Sequence, residues 1–172
     1  LQTGFGYSAS VSGLLLLPSA LANVAIKPFM VRIIKALGYR NVLISNTVLL
    51  GIVLIVLGFV NRDTPLGYYI LLMIFYGFFT SIQMSAMNTI TLVDLDEDTK
   101  SGGNTMLVIM QQLSISFGVS AASLVLSFFG SEHMGFSITE SFQYTFIVLA
   151  IVTILSSVTF RRLSDSDGRG YM

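Results

Sequence analysis

Six amide side chains and one hydroxyl set the chemical reach of this 172-residue sequence: Asn23, Asn46, Gln83, Asn88, Gln111, Gln112 and Ser116, each inside a long apolar run. Amides and hydroxyls hold hydrogen bonds without carrying charge. Such groups suit a cavity or pathway for uncharged or apolar ligands, and equally the bonds that tie one buried helix to the next. For Asn23 in particular, a helix–helix hydrogen bond and a substrate contact both remain open. No Asp or Glu lies in the apolar cores, and the basic residue Lys27 lies near an edge. Cysteine is absent, which removes thiol catalysis, disulfides and cysteine metal sites. No phosphate-binding loop, nucleophile elbow or His-Glu-x-x-His zinc motif occurs. The sequence predicts no catalytic set, no metal and no cofactor.

Three tempting matches fail on context. Gly4-Phe5-Gly6-Tyr7-Ser8-Ala9 fits the loose dinucleotide pattern, but no strand precedes it and no βαβ unit follows. Asp94-Leu95-Asp96-Glu97-Asp98 resembles the start of a calcium loop, yet Thr99 stands where that loop needs Gly and Thr105 where it needs Glu. The single histidine, His133, sits beside Glu132 in a polar loop and reads as solvated.

The elements that position these groups follow from composition. Hydrophobic residues make up 53% of the chain and charged residues 10%, against about 25% charged in a soluble domain. Net charge is zero, so no nucleic-acid partner is implied. The fold class is all-α and polytopic, in a lipid bilayer, with five spans at about 12–31, 42–60, 68–92, 105–129 and 142–160. A helix of about 20 residues crosses the roughly 30 Å hydrocarbon core. Pro18 is expected to kink the first span. Gly51 and Gly58 in the second are expected to allow close helix approach.

The second half of the third span carries polar groups on two faces, Thr80, Gln83 and Thr91 on one and Ser81, Ser85 and Asn88 on another. This predicts a helix surrounded by protein or facing a wet cavity. On the fourth span Thr105, Gln112, Ser116, Ser120, Ser123 and Ser127 form one stripe, with Met110, Phe117, Ala121, Val125 and Phe128 opposite. The stripe either lines a pathway, a reading favoured for Gln112 and Ser116, or admits a neighbouring helix closely, a reading favoured from Ser120 to Ser127.

Orientation comes from the basic stretch Lys27–Arg40, read as a loop broken by Gly38, which holds four of the nine Lys and Arg residues. With that loop inside, Lys27, Arg32, Lys35, Arg40, Lys100, Arg161, Arg162 and Arg169 are cytoplasmic and Arg62 alone is outside. Leu1 is then outside and the polar tail 161–172 is cytoplasmic. A chain that starts outside without Met or a signal segment leads to the expectation of missing N-terminal helices of the same polypeptide.

A succession of short motifs runs through these spans: Gly13-Leu14-Leu15-Leu16-Leu17-Pro18, Leu37-Gly38-Tyr39-Arg40, Met87-Asn88-Thr89 before Asp94-Leu95, Ser101-Gly102-Gly103-Asn104, Gln111-Gln112-Leu113 and Gly118-Val119. In that order and spacing the chain resembles the C-terminal part of a major facilitator superfamily transporter, of the fourteen-helix drug:proton antiporter branch (EmrB/QacA type), and within it the MdtD- and HsrA-like group. The resemblance covers Gly4 to about Arg162. It implies an inner-membrane protein of two helical bundles with rocking-type alternating access, and export of a small-molecule substrate in exchange for protons. In the family's basic loop motif, Gly-x-x-x-Asp-Arg-x-Gly-Arg-Arg, this chain matches at Arg32, Gly38 and Arg40, but Lys35 and Ala36 stand at the Asp-Arg positions and Tyr39 replaces an Arg. The Asp-mediated charge relay of that motif does not carry over. Two alternatives stay open, a porter of the same fold for a sugar or organic anion and a non-transporting membrane scaffold.

Overall fold

The computed structural model describes residues 8–61, 64–92, 95–131 and 134–163. Most of the Gly4–Ala9 pattern, Arg62, Asp94, Glu132, His133 and the tail from residue 164 lie outside the described residues, as do the side chains of Glu97 and Asp98. Every described element is helical, and five helical segments are long and apolar enough to cross a membrane.

Helix α1 spans Ala9–Ala25 and is capped by the Ser8 hydroxyl, which accepts from the Val11 amide at 3.3 Å. It is continuous through Pro18. The helix gives way to a 3-10 turn at Lys27–Phe29, where Pro28 occupies the first turn. The following basic stretch is not a loop. It forms α2, Met30–Leu37, which buries Met30 and Ile34 and leaves Arg32 and Lys35 exposed on its other side. Gly38 ends it at φ 76°, a backbone conformation that glycine adopts without a Cβ penalty.

Helix α3 spans Tyr39–Gly58, α4 Leu66–Leu92, α5 Glu97–Phe129 and α6 Ile138–Phe160. The 33 residues of α5 reach about 50 Å, well beyond the roughly 30 Å core. Its apolar part therefore starts near 105 although the helix begins at Glu97. A reciprocal cap opens α6: the Ser137 amide donates to Glu140 Oε2 at 2.8 Å and the Glu140 amide to Ser137 Oγ at 3.3 Å.

Helix α4 lies between α1 and α3, α3 packs along α6, and α5 leans on α6 while touching α4 at one level. One apolar cluster joins Met30 and Ile34 of α2, Tyr39, Val42 and Leu43 of α3, and Ile82 and Ala86 of α4, with Phe160 and Leu163 against it. A second joins Leu15 to Val60, Tyr69, Leu72 and Met73 near the other end of the bundle. α5 contributes no buried residue among those described.

Two glycines let helices meet at backbone distance. A Cβ on Gly77 would strike the backbone carbonyl of Ser19, whereas one on Gly51 would meet the flexible Ile154 side chain. Overpacking costs typically 1–3 kcal/mol, less where the neighbour can turn aside. In the full-length polypeptide Gly77→Ala should therefore lower unfolding stability by about 2 kcal/mol, and more than Gly51→Ala. Detergent-denaturation midpoints check the order, and equal losses would contradict it.

Candidate functional site

Polar side chains on α4 face a strong constraint, because a hydrogen-bonding group in hydrocarbon has no water to fall back on. Three of them are answered by three different helices. Ser81 donates its hydroxyl to the Asn23 carbonyl of α1 at 2.8 Å. Gln83 Oε1 accepts from Asn46 Nδ2 of α3 at 2.8 Å. Asn88 Oδ1 accepts from Gln111 Nε2 of α5 at 2.6 Å. Three threonine hydroxyls turn back on their own helix: Thr80 donates to the Tyr76 carbonyl at 2.7 Å, Thr89 to the Ser85 carbonyl at 2.9 Å and Thr91 to the Met87 carbonyl at 2.8 Å.

Asn46 is buried, 4% exposed, and both amide hydrogens have acceptors. One goes to Gln83 and the other to the Phe79 carbonyl at 2.8 Å. Asn46 counts among the intramembrane amides of the sequence but not among its pathway candidates, Asn23, Gln83, Asn88, Gln111, Gln112 and Ser116. Its signal was available in the sequence, a lone amide in the middle of the second apolar run.

Above this level α1 and α4 frame an open groove of about 320 Å³ lined by Ser19, Ala20, Asn23, Tyr76, Gly77 and Thr80. No lining residue is charged. Asn23 enters this site in two ways. Its backbone carbonyl makes the contact with α4, and its half-buried side-chain amide lines the groove. Among the described residues no hydrogen bond engages that amide.

The structure brings together Asn23 and Thr80 at the groove, with Gln83 one turn further along α4. It does not bring Gln112 and Ser116 there. The half-buried face of α5 runs through Gly103, Leu107, Gln111, Ala122, Val125 and Phe129, while Gln112 and Ser116 are exposed. Ser116 donates to the Gln112 carbonyl at 2.9 Å, and Ser120 to Ser116 at 2.9 Å. Of the basic motif, Arg32 is exposed on α2, Gly38 forms the hinge between α2 and α3, and Arg40 is half-buried in the first turn of α3. Among the described residues no group of three His, Cys, Asp or Glu is placed to hold a metal.

Apolar helices tied by buried amides, with an uncharged groove between two of them, define a polytopic α-helical membrane protein. The chain belongs to the Major Facilitator Superfamily, whose family profile matches residues 1–170. It is 35% identical over 173 residues to MdtD of Klebsiella pneumoniae subsp. pneumoniae, a protein named as a candidate multidrug resistance protein; the match covers 98% of this chain and 36% of that one. It is 36% identical over 171 residues to MdtD of Salmonella paratyphi B, covering 96% of this chain and 36% of the relative. The chain thus spans about a third of the length of these curated relatives. No solved structure matches it.

Among the described residues, the Asn88–Gln111 pair is the side-chain hydrogen bond that links α4 to α5. Interhelical bonds of this kind average about 0.6 kcal/mol in membrane proteins. A double-mutant cycle of Asn88→Ala and Gln111→Ala in the full-length polypeptide should show coupling of about that size. Strict additivity would mean the bond contributes nothing beyond each residue's own packing.

Proposed function

We propose that the polypeptide containing this chain is a proton-coupled secondary transporter that exports small hydrophobic compounds by alternating access, not an enzyme. The observation that carries the reading is the groove between α1 and α4. It is lined by hydroxyl, amide, aromatic and backbone surface with no charged side chain, which favours uncharged ligands over an organic anion. Family membership and the names of the relatives support it.

The helices sit in the inner membrane with the α2 end cytoplasmic, because the basic residues gather there: Lys27, Arg32, Lys35 and Arg40 beside Arg161 and Arg162 at the end of α6. Phe160 and Leu163, which flank those two arginines, pack on the same cluster as α2. The start of α1 and the α5–α6 connection then face outside. Gln112 and Ser116 line the pathway from the exposed side of α5, toward helices that precede this part of the polypeptide. The apolar cores hold no Asp or Glu, so the proton-coupling carboxylate belongs to that preceding part.

Full-length protein in inverted vesicles should concentrate a neutral lipophilic fluorophore when a proton gradient is imposed. A protonophore should abolish the uptake. A cysteine replacing Lys35 should react with an impermeant thiol reagent from the cytoplasmic side alone. Uptake that ignores the protonophore would overturn the coupling, and labelling from the outside would overturn the orientation.

A further inference from the structure

The direction of one hydrogen-bond chain assigns a ligand chemistry to the open face of α4. A carbonyl oxygen can only accept, so the Asn46 atom 2.8 Å from the Phe79 carbonyl must be its amide nitrogen. That nitrogen also lies 2.8 Å from the Gln83 side chain, which must therefore present its oxygen to Asn46. The sense of the whole chain is thus set by the helix backbone, and Gln83 has no freedom to flip its amide. Its NH2 group faces the other way. There its nearest recorded acceptor is the Met87 thioether at 3.7 Å, a weak one. Among the described residues no oxygen accepts from it.

The surroundings suit a ligand more than a structural bond. Gln83 is half-buried, and Thr80 and Met87 lie one turn away on either side, with Tyr76 a further turn back on the same face. Thr80 and Tyr76 also line the 320 Å³ groove, so Gln83 lies one turn beyond its lining along α4. Met84 and Met87 are exposed, at 42% and 39%. Methionine is flexible and polarisable and moulds to differing apolar shapes. Tyr76, Thr80, Gln83 and Met87 thus form an adaptable apolar face with one donor of fixed direction. Gln83 is uncharged and its amide is held in one orientation, so it selects for an acceptor atom.

We propose that Gln83 is the polar anchor of the ligand site, that it recognises a neutral lipophilic molecule through a carbonyl or comparable hydrogen-bond acceptor, and that Asn46 is the positioning residue that keeps the amide donor turned toward the ligand. This rests on the transport reading above only for the route by which the ligand arrives. A good acceptor displaces the Met87 sulfur and gains a full hydrogen bond from the amide. In an apolar ligand of the same shape the NH2 group keeps only its sulfur contact.

The test compares 9-fluorenone with fluorene, two planar tricyclic compounds that differ by one carbonyl oxygen. Binding of each to full-length protein in nanodiscs is measured by equilibrium dialysis. Wild type should bind fluorenone roughly three- to tenfold tighter than fluorene, after correction for lipid partition. Gln83→Met keeps the shape and should abolish the preference while fluorene binding stays. Asn46→Leu should reduce the preference by releasing the amide to rotate, again with fluorene binding kept, and Asn46→Ser serves if the leucine variant does not fold. A preference that survives in Gln83→Met, or no preference or binding of either compound in wild type, would overturn the proposal and leave Gln83 as a bond to another helix. Proton-driven uptake is measured on the same samples. Uptake without the carbonyl preference counts against this site alone, and preference without uptake counts against the transport reading alone.

Discussion

A polar side chain on a membrane helix has to be answered by protein, and α4 carries more such groups than any neighbour can answer alone. Each interhelical bond contributes little, about 0.6 kcal/mol on average. Leaving a buried donor or acceptor unmatched costs more, about 1–3 kcal/mol. That asymmetry makes the bonds of α4 decisive for arrangement more than for stability. Ser81 needs the Asn23 carbonyl, Gln83 needs Asn46, and Asn88 needs Gln111. Helices α1, α3 and α5 take their places around α4 accordingly.

Close packing then separates the fixed parts from the lightly held one. Gly77 brings α4 against the α1 backbone, and Gly51 and Gly58 bring α3 against Ile154 and Phe146 of α6. These contacts make two close pairs, α1 with α4 and α3 with α6, and the packing of α3 on α4 joins them. The fifth, α5, meets them through a half-buried strip and the Asn88–Gln111 bond. An aromatic group holds its far end, where the rings of Phe129, Phe136 and Tyr144 lie with centroids 4.8–6.2 Å apart. The proposed function places the preceding helices of the polypeptide against the exposed sides of α5, and on that reading Gln112 and Ser116 face those helices or the pathway between them.

The membrane class and the number of spans could be read directly, because uninterrupted apolar length is a property of sequence alone. The α2 helix could not be read from charge. Lys27, Arg32, Lys35 and Arg40 mark an end of the bundle whether the segment is loop or helix. The signal that was there is Met30, Ile33 and Ile34 at helical spacing, with Arg32 and Lys35 on the other side of the helix. Likewise Gln111 and Gln112 differ by 100° on α5, and periodicity shows that they face differently without showing which meets α4. The structure gives that position to Gln111. The role of Asn46 was hidden for a related reason, since the bond that orients Gln83 joins residues 37 apart in sequence.

The central claim is that α4 is sealed by protein on the faces its neighbours occupy and open to the pathway along Tyr76, Thr80, Gln83 and Met87. Cysteine scanning of α4 tests it most directly, and the described region brings no native cysteine to confuse the result. Single cysteines at positions 80, 83 and 87, and at 82 and 86, would be placed in full-length protein freed of other thiols and exposed to a water-soluble thiol reagent. Reaction at 80, 83 and 87 is predicted, with little at Ile82 and Ala86, which are 9% and 0% exposed. Equal reaction on both sets, or none at 80, 83 and 87 under conditions favouring either the inward- or the outward-facing state, would contradict the account.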